Sequence, residues 1–210
     1  MPILTFQTFD DAWDELIQTG HFSLNNAALS LKELYQLYGY VKICSAPLSI
    51  YLCDIRLIPT HTIKSDMPSD VLTQAINTLE QTLLNLLNHD RWQLIQLNKI
   101  ELIENLSLSD DFYYNFLSTS YHSNLKKLNL YLPKASLEPY FMQFLKNNPE
   151  LETLTLDLAY ESNGFIEELA SSITNSPIKK LDLGNTHLDS NAYNALDSLL
   201  DNNYYLQLSV

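Results

Sequence analysis

A leucine motif, Leu-x-x-Leu-x-Leu, recurs through the second half of this chain at a nearly constant interval. No other feature restricts the fold so tightly. It occupies Leu125-x-x-Leu128-x-Leu130, Leu151-x-x-Leu154-x-Leu156 and Ile178-x-x-Leu181-x-Leu183, with middle leucines 26 and then 27 residues apart. Leu206-x-Leu208 reads as a fourth copy 25 residues further on, with Asn203 in its first apolar slot. Apolar residues two apart share one side of a strand, so each copy reads as a short strand with a buried side. The polar pairs Asn147-Asn148 and Asn175-Ser176, each followed by Pro, precede two of the copies. Such punctuation ends a helix and starts an extended segment.

Between the strands lie amphipathic helices over Ser136–Lys146, Phe165–Ile173 and Asp189–Leu200, with Ser136, Asn163 and Asp189 as their N-caps. The repeating unit is therefore strand, turn, helix, turn. Upstream, Pro47-x-x-Ile50-x-Leu52-x-x-Ile55-x-Leu57 and Trp92-x-x-Ile95-x-Leu97-x-x-Ile100-x-Leu102 fit a longer form of the motif. A second register, Leu97-x-x-Ile100-x-Leu102-x-x-Asn105, fits the latter segment as well. A helix over Ser69–Asn88, with Val71, Leu72, Ala75, Ile76, Leu79, Leu83, Leu86 and Leu87 as its buried stripe, joins these two repeats. Pro59–Pro68 reads as a loop and Asp110–Leu117 as a further helix. Residues 1–45 do not show the motif and read as two helices, Phe9–Thr19 and Leu24–Tyr38, with Trp13, Leu31 and Leu34 buried. A terminal repeat needs its open end covered, so this region is expected to be a helical N-terminal cap on a solenoid over 46–210 of about six irregular repeats.

On these residues the chain resembles the leucine-rich-repeat family, in its longer ribonuclease-inhibitor-like class, over roughly residues 47–210 and most clearly over 125–208. That family carries L-x-x-L-x-L-x-x-N/C-x-L followed by a helix. The resemblance implies an α/β solenoid, with a curved parallel sheet inside and helices outside. The N/C slot holds Ile55, Ile100, Pro133, Ala159 and Thr186 here, so the family's asparagine ladder is mostly missing. Only the second register supplies one, Asn105. Irregular repeats rich in Leu, Asn, Tyr and Ile and poor in Gly are also similar to leucine-rich-repeat effectors of intracellular bacterial pathogens.

Twelve Lys and Arg against 25 Asp and Glu give a formal charge of −13, which argues against nucleic acid and against an anionic membrane surface. Four glycines make a phosphate-cradling loop unexpected. Cys44 and Cys53 read as buried thiols of a reducing compartment. No basic-then-apolar leader and no run of about 20 apolar residues is visible. The expected setting is the cytoplasm, or a host cell reached by a route without a signal peptide. The five histidines are scattered, and no hydrolase, P-loop or dinucleotide motif occurs. A Cys53–His61 pair has nothing beyond residue type behind it. Asp10-Asp11 and Asp110-Asp111 open helices, where the dipole favours carboxylates, and Glu167-Glu168 reads as a solvated helix face. Neither a cofactor nor enzymatic chemistry is expected.

The x positions of stacked strands form rows across one open face. One row reads Tyr51, Gln96, Asn129, Thr155, Asp182 and Gln207; the next reads Cys53, Asn98, Tyr131, Asp157, Gly184 and Ser209. The row before them reads Ser49, Leu94, Lys127, Thr153, Lys180 and Tyr205. Tyrosines among polar residues suit the centre of a protein interface. The expected partner-binding residues are Tyr51, Gln96, Asn129, Tyr131, Thr155, Asp157, Lys180, Asp182 and Tyr205. The expected function is non-enzymatic binding of another protein, an enzyme or a co-secreted effector, by a chain monomeric when free. An acidic concave surface that inhibits or regulates this partner is the first expectation. An adaptor that recruits a host or substrate protein is the alternative.

Overall fold

Strand and helix alternate along the chain in the computed structural model, which describes residues 8–59, 68–102, 106–119, 121–161, 164–184 and 186–210, with backbone alone for 98 and 99. The strands are β1 His21–Asn25, β2 Ala28–Ser30, β3 Leu48–Ile58, β4 Trp92–Glu101, β5 Lys127–Leu132, β6 Thr153–Leu158, β7 Lys180–Asp182 and β8 Gln207–Ser209. The helices are α1 Phe9–Thr19, α2 Leu31–Ile43, α3 Ser69–Leu87, α4 Asp110–Thr119, α5 Glu138–Asn147, α6 Phe165–Ile173 and α7 Ser190–Asn202. A short 3-10 turn, Ala135–Leu137, leads into α5.

All the strands pair in parallel in one sheet, ordered β1-β3-β4-β5-β6-β7-β8, with β2 also on β3. Neighbours in the sheet are thus neighbours in the chain, and every crossover advances in one direction. Right-handed crossovers then place the helices on a single face. Burial agrees with this. In β5, Leu128, Leu130 and Leu132 are buried, while Asn129 and Tyr131 between them are half-buried. Leu128, Leu154 and Leu181 occupy matching positions on adjacent strands, each at most 1% exposed. The ladder lengths taper: β3 and β4 run 11 and 10 residues, β5 and β6 six each, β7 and β8 three each.

Several expectations are corrected. Leu24–Tyr38 is not one helix: Leu24 lies in β1, and the helix begins only at Leu31. The N-terminal region is therefore not purely helical but adds strands to the same sheet. Phe22 pairs in register with Ile50, Leu24 with Leu52 and Leu29 with Leu57, so Phe22-x-Leu24-x-x-Ala27-x-Leu29 is an unrecognised copy of the longer motif. Asn26 and Asp54 sit at positive φ (50° and 51°). Asn and Asp tolerate that region best among residues with a side chain. In this region Leu34 is buried, while Trp13 and Leu31 are half-buried against the core. The register at β4 is the first one: Ile50 pairs with Ile95, and Ile95 with Leu128. Asn105 lies outside the described residues, as do residues 60–67 of the expected loop and Asn163. Ser136 lies inside the 3-10 turn and caps nothing, whereas Asp189 accepts from the backbone N–H of Ala192 at 2.8 Å, as expected. The start of the α3 stripe is uncovered: Val71 is 45% exposed, and Leu72, Ala75 and Ile76 are half-buried. Both cysteines are half-buried, and neither is in a disulfide.

Aromatic rings tie successive helices together. Phe116 of α4 meets Phe144 of α5 at 5.6 Å, and Phe141 of α5 meets Phe165 of α6 edge-on at 6.0 Å. The turns into the strands are pinned by side chains. Asn148 accepts from the backbone N–H of His122 and donates to the Phe144 carbonyl, both at 2.8 Å. His122 is fully buried, with its Nδ1 3.2 Å from the His89 carbonyl. A carbonyl only accepts, so Nδ1 carries the proton and Nε2 faces the interior without a partner. Burial pushes this imidazole down to about 4.

Two predictions follow from the core. Leu154→Ala removes a side chain from the middle of the leucine stack and should cost about 2–5 kcal/mol in urea unfolding. His122 is neutral in the fold, whereas the unfolded chain binds a proton below the ordinary imidazole value of about 6.5. Stability should therefore fall as pH drops from about 6.5 toward 4, by up to about 1.4 kcal/mol per pH unit. His122→Phe should flatten that slope between pH 6.5 and 5, and an unchanged slope would refute the assignment.

Candidate functional site

The face of the sheet opposite the helices presents the alternate residues of every strand. Register places Tyr51 beside Gln96, Gln96 beside Asn129, Asn129 beside Thr155 and Thr155 beside Asp182, as one continuous row. Lys127, Thr153 and Lys180 align in the row before it, and Tyr131 stands beside Asp157 in the row after. Eight of the nine expected residues thus lie on the strands that make this face. The first two rows continue onto β1, where His21 pairs with Ser49 and Ser23 with Tyr51. Sequence reading missed these because Thr19 stands in the first apolar slot of that copy. The alternation Phe22-x-Leu24 was the available signal.

Tyr205 is the ninth, and it is a correction. It lies outside β8, in the turn before it, 87% exposed. The Leu206 N–H bonds the Asn203 carbonyl, as Leu151 bonds Asn148 and Leu125 bonds His122. Leu206 therefore fills the first apolar slot, with one residue fewer before the strand. Leu208 pairs with Leu181, Gln207 falls beside Lys180 and Ser209 beside Asp182.

Side chains converge at the C-terminal ends of β5, β6 and β7. Gly184, at φ +54°, is packed so closely by Asp157 that an added Cβ would lie 1.8 Å from a carboxylate oxygen. The Gly184 N–H donates to Asp182 Oδ1 at 3.1 Å. Two carboxylates thus flank one glycine, with Tyr131 next to the first. Behind them, burial raises the Tyr113 phenol, and the neighbouring Tyr131 and Glu80 add to the shift. Thr186, in the slot where the motif carries Asn or Cys, sets its hydroxyl 3.5 Å from the Leu156 carbonyl and 3.4 Å from the Leu158 N–H. It links adjacent strands as a ladder residue does.

The opposite margin is an ion-pair ladder. Lys126 meets Glu150 at 2.7 Å and Glu152 at 3.6 Å, and Glu152 meets Lys179 at 2.8 Å. The Glu150 bond raises the Lys126 ammonium, and the Lys179 bond lowers the Glu152 carboxyl. These groups are solvated, so the ladder contributes more to orientation than to stability.

Charge is partitioned between the layers. The strands carry Asp54, Glu101, Asp157 and Asp182 against Arg56, Lys99, Lys127 and Lys180, which cancel. The helices carry fourteen acids against three lysines. The formal charges of the strand residues thus cancel, with Lys127 and Lys180 toward the strand starts and Asp157 and Asp182 toward their ends. Asp11 has a capping role, accepting from the Thr8 hydroxyl at 2.7 Å, which holds its carboxyl low. Asp110 and Asp111 open α4. His61 lies outside the described residues. Among the described residues, no group of three or more His, Cys, Asp or Glu is placed to hold a metal ion, and no helix is long and apolar enough to cross a membrane.

No family model and no curated protein matches the chain.

Gly184→Ala should cost about 1–2 kcal/mol for the left-handed backbone alone, and it should displace the Asp157 carboxylate as well. In an Asp157→Ala background the second part disappears. A double-mutant cycle by chemical unfolding should give a coupling of about 0.5 kcal/mol or more. Additive losses would show that the two residues do not touch.

Proposed function

We propose that this chain is a leucine-rich-repeat-like solenoid and a non-enzymatic protein-binding module. Its concave sheet face engages one folded partner and inhibits or regulates it. The observation that carries this reading is the half-buried row Tyr51, Gln96, Asn129, Thr155 and Asp182, held in register across five strands with Tyr131 and Asp157 beside it. Preset, half-buried side chains lose little conformational freedom on binding. Tyrosine adds large contact area for few rotatable bonds.

Balanced charge on the strands asks for a mixed patch on the partner, with acids opposite Lys127 and Lys180 and bases opposite Asp157 and Asp182. The partner is a protein rather than nucleic acid or a membrane, because the surplus negative charge of the helices repels polyanions. An adaptor role is the second reading. Ile17, Tyr35 and Ile43, all more than half exposed on α1 and α2, favour it by offering a further contact surface.

Partner capture with the purified chain, followed by titration of variants, tests the first reading. Tyr131→Ala should weaken binding by about 1–3 kcal/mol, mainly through faster dissociation. Asp157→Lys and Asp182→Lys should slow association and shift its salt dependence. Three variants that bind like the parent, together with loss of binding in Glu168→Lys on α6, would move the interface to the helices.

A further inference from the structure

A groove of about 760 Å³ lies away from the sheet face, between α2 and α3. Tyr35 and Tyr38 line its α2 side. From Ser69 to Asn85, α3 turns only hydroxyls, amides and one carboxylate, Asp70, toward it. A single charged lining residue is unexpected on a helix layer with fourteen acids. A site meant for a cation would concentrate carboxylates here, and one meant for an anion would remove Asp70.

The amides are also periodic. Asn77, Gln81 and Asn85 follow one another at four-residue steps, with Gln74 on the same wall. Four residues rise about 6.0 Å along a helix axis, and the i±4 row is inclined by about 26°. Along the row, the groups therefore recur about every 6.7 Å. An extended chain advances about 6.4–6.8 Å per two residues, and it presents main-chain N–H and C=O groups of alternate residues on one side. The two spacings coincide. The Gln81 Nε2 donates to Asn85 Oδ1 at 3.1 Å, which orients both amides and leaves Gln81 Oε1 to accept and Asn85 Nδ2 to donate. That is one acceptor and one donor for the main-chain N–H and C=O of one extended residue. The Thr78 and Thr82 hydroxyls, each 2.7 Å from a carbonyl of their own helix, do not compete as donors.

We propose that the polar ridge of α3 binds an extended, uncharged peptide segment through its main chain, while Tyr35 and Tyr38 take its side chains. The ridge from Ser69 to Asn85 is about 24 Å long, room for about seven extended residues. Tyr35 is 52% exposed, and Tyr38 lies half-buried with the Lys42 ammonium 5.4 Å from its ring centre. Proline or aliphatic side chains suit such rings better than charged ones. This site is on the helix layer and does not depend on the sheet-face reading.

The test is selection of uncharged nine-residue peptides on the full chain, then fluorescence anisotropy of a labelled winner. The combined variant Asn77→Ala, Gln81→Ala, Asn85→Ala should lose about tenfold or more in affinity while keeping the parent's unfolding midpoint, since all three side chains are exposed. N-methylation of alternate peptide residues should abolish binding in one phase and be tolerated in the other. Tyr131→Ala should leave this binding unchanged, which separates its failure from that of the sheet-face reading. Four results would each overturn the proposal: no peptide selected; affinity within about threefold in the amide variant; equal loss in both N-methylation phases; or maltoheptaose, rather than any peptide, shifting the Asn77 and Gln81 side-chain amide resonances.

Discussion

Parallel pairing governs this molecule. Two parallel strands cannot be joined by a tight turn, so the chain must travel back over the sheet before each new strand. Because β3 through β8 are laid down in chain order, each return runs over the same face and brings another helix with it. The inner side of every strand is then buried, which is why Leu128, Leu154 and Leu181 stack. The outer side carries the alternate residues Asn129, Thr155 and Asp182, which among the described residues are half-buried, not fully buried. The packed interior and the open face are two results of one rule of connection.

The sequence disclosed the parts of the fold in which one residue type repeats at one period. The middle repeats are legible because leucine, or isoleucine at Ile178, fills all three slots and proline marks two of the strand starts. Legibility fails where the slots are filled differently. In the first copy, Thr19 and Phe22 stand where the motif has leucine, and the helix expected over Leu24–Tyr38 spans what is a bend at Asn26 between two short strands. At the last copy, deletion of one residue shifts Leu206 from the middle slot to the first and takes Tyr205 off the sheet. The candidate face inherits the same limits: side-chain positions followed from strand period, whereas the Asp157–Gly184 contact depends on a left-handed backbone that no spacing reveals.

Net charge was informative about the chain and misleading about its surfaces. A value of −13 invites the picture of an acidic binding face. The strands are nevertheless neutral in sum, and the surplus sits on the helices. Long-range forces and short-range recognition are thereby assigned to different sides of the molecule. A layer with that surplus adds long-range repulsion toward any polyanion. Under the proposed function, the sheet face would discriminate by shape, hydrogen bonding and the local order of Lys180 and Asp182.

The taper of the ladder has a consequence for how the protein comes apart. Arrays of stacked units lose order in proportion to the weakness of each junction, not all at once. The β3–β4 junction is held by eight aligned residue pairs, the β4–β5 junction by four, the β5–β6 junction by six, and the β6–β7 and β7–β8 junctions by three each. Amide hydrogens of β7 and β8 should therefore exchange with solvent through local fraying, and those of β3 and β4 only on wider opening. Asp182 lies on the three-pair side of that gradient and Tyr51 on the eight-pair side, so a ligand that spanned both would freeze out breathing at one end of the face and meet a finished template at the other.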